Sequence, residues 1–164
     1  MFRIAIVEDQ EETRECLNRF VRQYAEEQGL QVEISLIADG SEIAVHYTPG
    51  FDIIFMDVEM PRLDGFAAAE AIRAVDAEVV LVFVTNMAQY AIRGYEVDAL
   101  VFCLPLRHRS HFWARLRNAD STAFAGAAAG PAGTVHNTVA AAAFAAGALY
   151  FLFCAAGWDD LPVY

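Results

Sequence analysis

Five short apolar runs, separated by stretches with helical or turn patterning, divide the first hundred residues. Ile4-Ala5-Ile6-Val7 closes a run from Arg3, and Ile53-Ile54-Phe55-Met56 closes one from Phe51. Val79–Val84 and Ala99–Leu104 are likewise continuous, whereas Val32–Ala38 alternates. Uninterrupted runs of this length predict strands buried on both faces. Between them, Glu11–Glu27 places Leu17, Phe20, Val21 and Tyr24 at helical spacing, and Gln28-Gly29 supplies a stop. Ser41 is the expected N-cap of a short helix through His46, and Pro49-Gly50 is a turn. Pro61 and Gly65 punctuate a loop before an Ala-rich helix over Phe66–Val75. Ala88–Tyr95 predicts a further helix, weakened at Gly94. Strand and helix alternating through short connections implies a parallel sheet covered on both faces. The expected fold is α/β: a doubly wound, five-stranded parallel sheet of flavodoxin-like order 2-1-3-4-5. Its ligands would bind at the carboxyl ends of the strands.

The pattern then deteriorates. Phe112, Trp113 and Leu116 suit one face of a last short helix. Residues 118–137 are mostly Ala, Gly, Thr and Ser, with Pro131, a linker-like composition. Val139–Gly157 follows without a charge, 19 residues that just reach the length of a membrane span. Alanine adds little hydrophobicity and no basic cluster flanks the segment, which argues against a span. A helix packed on the domain or on a partner, and a segment without an evolved structural role, both stay open. The expected division is a domain over 1–117 and an atypical Ala-rich tail over 118–164, with one apolar helix at 139–157.

The chain has 164 residues and a net charge of −11, which argues against direct binding to nucleic acid. Residues 1–100 hold 19 of the 22 acidic side chains, so the two parts follow different rules. Cys16, Cys103 and Cys154 are scattered, as in a reduced, cytoplasmic setting. The N-terminus opens directly on a strand pattern, so no signal peptide is expected. All 11 basic residues are arginine, and lysine is absent.

Three apolar runs end in chemistry. The first ends in Glu8-Asp9, the third in Asp57 and the fourth in Thr85. In the order 2-1-3-4-5 these ends converge. Carboxylates brought that close repel one another unless a proton or a cation intervenes. A hard divalent ion such as Mg²⁺ suits carboxylates, waters and a phosphate. The Thr85 hydroxyl suits a phosphoryl oxygen. A carboxylate at such a site can act as nucleophile and form an acyl phosphate, and Asp57 ends the most apolar strand. A flavin site is excluded because the first strand–helix turn, Glu-Asp-Gln-Glu-Glu, would repel its phosphate. A Mg²⁺-dependent phosphatase is disfavoured because no lysine or second acidic nucleophile is evident.

The segments IAIVED at 4–9, FDIIFMDVEMPRLDGF at 51–66 and VLVFVTNMAQYAIRGYEVDAL at 80–100 resemble the receiver domain of bacterial two-component response regulators. The last, through Tyr90-Ala91 and Gly94 to Leu100, is similar to receivers of the LytTR subfamily. The resemblance spans roughly residues 1–117. It implies that Asp57 accepts a phosphoryl group from a sensor histidine kinase and that Thr85 binds that group. It further implies Mg²⁺ held by Glu8, Asp9, Asp57 and the backbone carbonyl of Glu59, and an aromatic switch at Phe102. The chain would then be a phosphorylated switch rather than an enzyme, with a receiver homodimer as one assembly.

Three departures qualify the expectation. Family members end the fifth strand with Lys-Pro, but here the text is Phe102-Cys103-Leu104-Pro105-Leu106. The lysine is deleted or replaced by Pro105, and the planar fork of nearby Arg107 is no equivalent point charge. Val101 also stands where the subfamily usually has an acidic residue. The absent lysine raises the alternative of a degenerate pseudo-receiver, a protein-interaction module without a working switch. Residues 118–164 lack the alternation and basic residues of a β-rich DNA-binding domain. The break in composition suggests a disrupted reading frame or an engineered or degenerate tail.

Overall fold

The structure, a computed structural model, describes residues 1–45, 47–85 and 97–103, together with positions 141, 144, 145, 147 and 148. The elements in chain order are β1 (Phe2–Val7), α1 (Glu11–Glu27), β2 (Val32–Ile37), α2 (Gly40–Ala44), β3 (Ile53–Met56), α3 (Gly65–Arg73), β4 (Val80–Thr85) and β5 (Ala99–Cys103). Strands β1 to β4 lie parallel in the order β2-β1-β3-β4, and β5 pairs in parallel with β4. The register sets Val7 beside Met56 and Met56 beside Phe83. The carboxyl ends of the three central strands are therefore level.

Period-two alternation sends successive side chains to opposite faces. Ile4, Ile6, Ile53, Phe55, Val80, Val82 and Val84 face one side, where Cys16, Leu17, Phe20, Val21 and Ala25 of α1 cover them. Ala5, Val7, Ile54, Met56, Leu81 and Phe83 face the other, covered by Ile43 of α2 and Phe66, Ala68, Ala69 and Ile72 of α3. All residues of β3 and β4 are buried, as continuous apolar runs require. Each fully buried large side chain contributes roughly 1.5–3 kcal/mol.

Helix α1 opens with Glu11 and Glu12, whose charges suit the positive end of the helix dipole. It closes on Gly29 at φ 65°, with Leu30 N donating to the Ala25 carbonyl and Gly29 N to the Glu26 carbonyl. That is the Gly-terminated stop expected there. Arg73, at the end of α3, spends its guanidinium on four carbonyls. Nε donates to Val97, Nη1 to Asp76 and Val79, and Nη2 to Asp98, at 2.8–3.1 Å. It thereby ties α3 to the starts of β4 and β5.

Several expected boundaries move. The cap of α2 is Asp39, not Ser41, and the helix ends at Ala44. Strand β2 stops at Ile37, β3 starts at Ile53, α3 runs from Gly65 to Arg73 and β4 reaches Thr85, while Leu104 at the expected end of β5 lies outside the described residues. The expected helices at Ala88–Tyr95 and around Phe112, the linker at 118–137 and His46 lie outside the described residues.

Within the apolar stretch 139–157, the described positions 141, 144, 145, 147 and 148 are helical. Ala141, Phe144, Ala145 and Ala148 are buried in the α1-side core. The Phe144 ring lies 5.4 Å from that of Phe2 and 5.2 Å from that of Tyr24, edge-on to the latter. Gly147 meets the Tyr24 hydroxyl where any side chain would stand. This part of the tail is thus packed on the domain. Among the described residues, no helix is long and apolar enough to cross a membrane.

Candidate functional site

Glu8 follows β1 and Asp57 follows β3. Each carries its backbone one step beyond the sheet, with Glu8 N donating to Ile37 O and Asp57 N to Val7 O. Thr85 ends β4. Glu8 and Thr85 are 2% exposed and Asp57 is 9% exposed, whereas Asp9 is half-buried. Carboxylate oxygens of Glu8, Asp9 and Asp57 lie within 4.8 Å of one another. The three acidic residues singled out by the strand ends therefore do meet.

Fixed donors hold the cluster. Gln10 N donates to Glu8 Oε1 at 3.1 Å, and Val58 N to Asp57 Oδ1 at 2.7 Å. Arg14, one turn into α1, donates from Nη1 to the Glu8 backbone carbonyl at 2.6 Å, bracing the turn that carries Glu8 and Asp9. Asp9 Oδ1 is buried and accepts no hydrogen bond. A shielded carboxylate oxygen without a donor, beside two further carboxylates, has the chemistry of a hard-cation ligand. The donor set thus fits Mg²⁺, with Glu8, Asp9 and Asp57 as its carboxylates.

A cleft of about 460 Å³ opens beside the cluster, lined by Asp9, Val58, Glu59, Met60, Pro61, Asp64 and Phe66. Glu59 thus borders the acidic pocket. The far wall is set by the start of α3. Asp64 caps that helix, its Oδ1 accepting from Ala67 N at 2.9 Å, and Gly65 N donates to the Val58 carbonyl at 3.0 Å. Gly65 sits against the Asp57 carbonyl oxygen so closely that a β-carbon has no room. That contact is the physical reason for a glycine at position 65, at the start of α3.

Phe102 is placed on β5 opposite Val84, next to the Thr85 pair. Arg107 and Pro105 lie outside the described residues. Sequence reasoning missed Asp39 and Arg14. Asp39, 4% exposed, accepts from Ser41 N, Ser41 Oγ and Arg62 N at 2.9, 2.6 and 3.0 Å. Burial alone would raise its pKa, but the Ser41 and Arg62 donors, with the Arg62 charge, hold it below the usual carboxylate value. An Asp-Gly pair after a strand signals a turn or a cap, and only the fold reveals the Arg62 contact.

Comparison with known proteins agrees with this geometry. Residues 4–104 match the response regulator receiver domain. An uncharacterized response regulatory protein of Yersinia pestis is 32% identical over 112 residues, covering 66% of this chain and 44% of that protein. The sensory transduction protein LytT of Bacillus cereus is 28% identical over 104 residues, covering 63% of this chain and 41% of LytT. The chain thus spans less than half the length of these curated relatives. The non-phosphorylated receiver domain of HemR from Leptospira biflexa aligns with a TM-score of 0.53 at 28% identity, covering 72% of this chain and 93% of that domain. TrrA of Thermotoga maritima, solved in complex with Mg²⁺-BeF, aligns at 0.52 and 24% identity, over 68% and 93% of the two chains, a likeness of fold. With a match over most of the α/β domain and an acidic cluster at its strand ends, the chain belongs to the response regulator receiver domain family.

Proposed function

We propose that this receiver accepts a phosphoryl group on Asp57 from the phosphohistidine of a sensor histidine kinase, in a Mg²⁺-dependent reaction. The observation that carries the proposal is the meeting of Glu8, Asp9 and Asp57 within 4.8 Å, with Asp9 Oδ1 shielded and undonated. Bound Mg²⁺ would supply positive charge to the carboxylates and to the incoming phosphoryl oxygens.

The chain's own residues then have defined tasks. Val58 N orients the Asp57 carboxylate by donating to Oδ1, and a carboxylate oxygen of Asp57 attacks phosphorus. The new O–P bond forms as the N–P bond to imidazole breaks, and the departing imidazole nitrogen takes up a proton. Glu8 and Asp9, with Asp57, would hold the Mg²⁺, and the Glu59 backbone carbonyl would be a further ligand. Thr85 donates its hydroxyl to a phosphoryl oxygen, and Phe102 responds on β5. Asp57 is consumed and regenerated, so the chain works as a switch rather than an enzyme. Cytoplasmic location, pairing with a second receiver and membership of the LytTR subfamily are parts of the same reading, the last supported by the LytT relatives.

Labelled phosphoramidate, a small phosphodonor, tests the proposal. Uptake should require Mg²⁺, stop with EDTA and be released by hydroxylamine, as an acyl phosphate is. Uptake that persists in EDTA, or a label stable to hydroxylamine, would contradict it.

A further inference from the structure

We propose that Asp39 is a positioning residue for the acidic pocket, latching the loop after Asp57 to the first turn of α2. The proposal rests on reading that pocket as a Mg²⁺ site. Asp39 follows β2 and is nearly buried, and both of its oxygens are engaged. Oδ1 serves α2, accepting from Ser41 N and Ser41 Oγ, while Oδ2 reaches 23 residues along the chain to Arg62 N.

Neighbouring contacts brace the same loop. A β-carbon on Gly40 would stand 2.5 Å from the Leu63 carbonyl oxygen and 3.1 Å from Met60 Cε, so α2 begins directly against residues 60–63. Arg62 Nη1 lies 4.0 Å from Glu42 Oε1, an exposed ion pair between this loop and the first turn of α2. The loop so held also lines the acidic cleft, through Glu59, Met60, Pro61 and Asp64. Gly65 pins its far end against the Asp57 carbonyl. Between these two points, Asp39 sets where the Glu59 carbonyl can stand. A bare carboxylate suits this task because it accepts on two sides at once, and an amide cannot.

Groups that support metal ligands from behind typically change metal affinity 10–100-fold when removed. Mg²⁺ titration calorimetry on the full chain should show affinity weakened about 10-fold or more in Asp39→Ala and Asp39→Asn. Val21→Ala, which loosens the opposite core, should keep wild-type affinity. The Asn variant retains one acceptor oxygen and carries the test should the Ala variant not fold. Amide hydrogen exchange at Arg62 should accelerate in both Asp39 variants, a readout that needs no metal. Folded Asp39 variants with wild-type affinity, or an equal loss in Val21→Ala, overturn the proposal, as does unchanged exchange at Arg62. Wild-type protein that binds Mg²⁺ yet takes up no phosphoryl group contradicts the proposed function alone.

Discussion

Gly65 and Asp57 are eight positions apart in sequence and in contact in space: the Asp57 carbonyl oxygen fills the place a Gly65 side chain would need. Both atoms are backbone-fixed, one leaving β3 and the other opening α3, so neither can yield easily. Gly65→Ala should destabilise the fold by about 1–3 kcal/mol. It should also displace the Asp57 peptide unit and slow the proposed phosphoryl uptake. Urea unfolding and uptake kinetics check the two effects. A variant as stable and as fast as wild type would refute the contact's role.

Asp39 gives stability a pH dependence of known sign. Its folded-state value is lowered, because the Ser41 and Arg62 donors outweigh burial. Below the unfolded value, near 3.9, the unfolded chain therefore binds the proton more readily. The stabilisation is complete above that pH and is lost as pH falls through the folded value. Urea midpoints measured from pH 6 down to pH 2.5 should fall less steeply in Asp39→Asn than in wild type.

The packed tail makes a separate prediction. Phe144 is 3% exposed, set between Phe2 and Tyr24. Phe144→Ala should cost about 3–5 kcal/mol, as large truncations in a core do. Gly147→Ala should also destabilise, since its added carbon meets the Tyr24 hydroxyl, and Tyr24→Phe should recover part of that loss. Thermal unfolding of the three variants reads this directly. If Phe144→Ala unfolds like wild type, Ala141, Phe144, Ala145 and Ala148 do not belong to the core.

The legible parts of the molecule were those with local pattern. Ile53 to Met56 announced a strand buried on both faces, and its end located Asp57. Glu8-Asp9 and Thr85 follow by the same logic, so the strand ends alone bring the acidic pocket together. The cap of α2 was misplaced at Ser41 because Asp39 and Ser41 are both good cap residues. What decides between them is the packing of Gly40 on Leu63, a contact without local signature. The Asp39–Arg62 bond is equally non-local. The packing of Phe144 was hidden for the opposite reason. An uncharged Ala-rich stretch has no polar face to show which side is buried.

The missing lysine invites a gain-of-function test. A preorganised charge on the transferring group is typically worth 10²–10³ in rate. Pro105→Lys restores a lysine three residues after Phe102, and should speed uptake from a small phosphodonor by about 10²-fold. Equal rates in wild type and variant would show that the chain supplies the charge by other means.

The central claim concerns Asp57 itself. The 164-residue chain is incubated with Mg²⁺ and acetyl phosphate, and its intact mass is recorded beside that of Asp57→Ala. The account predicts a single phosphoryl adduct on wild type and none on the variant. No adduct on wild type, or an equal adduct on Asp57→Ala, would contradict it.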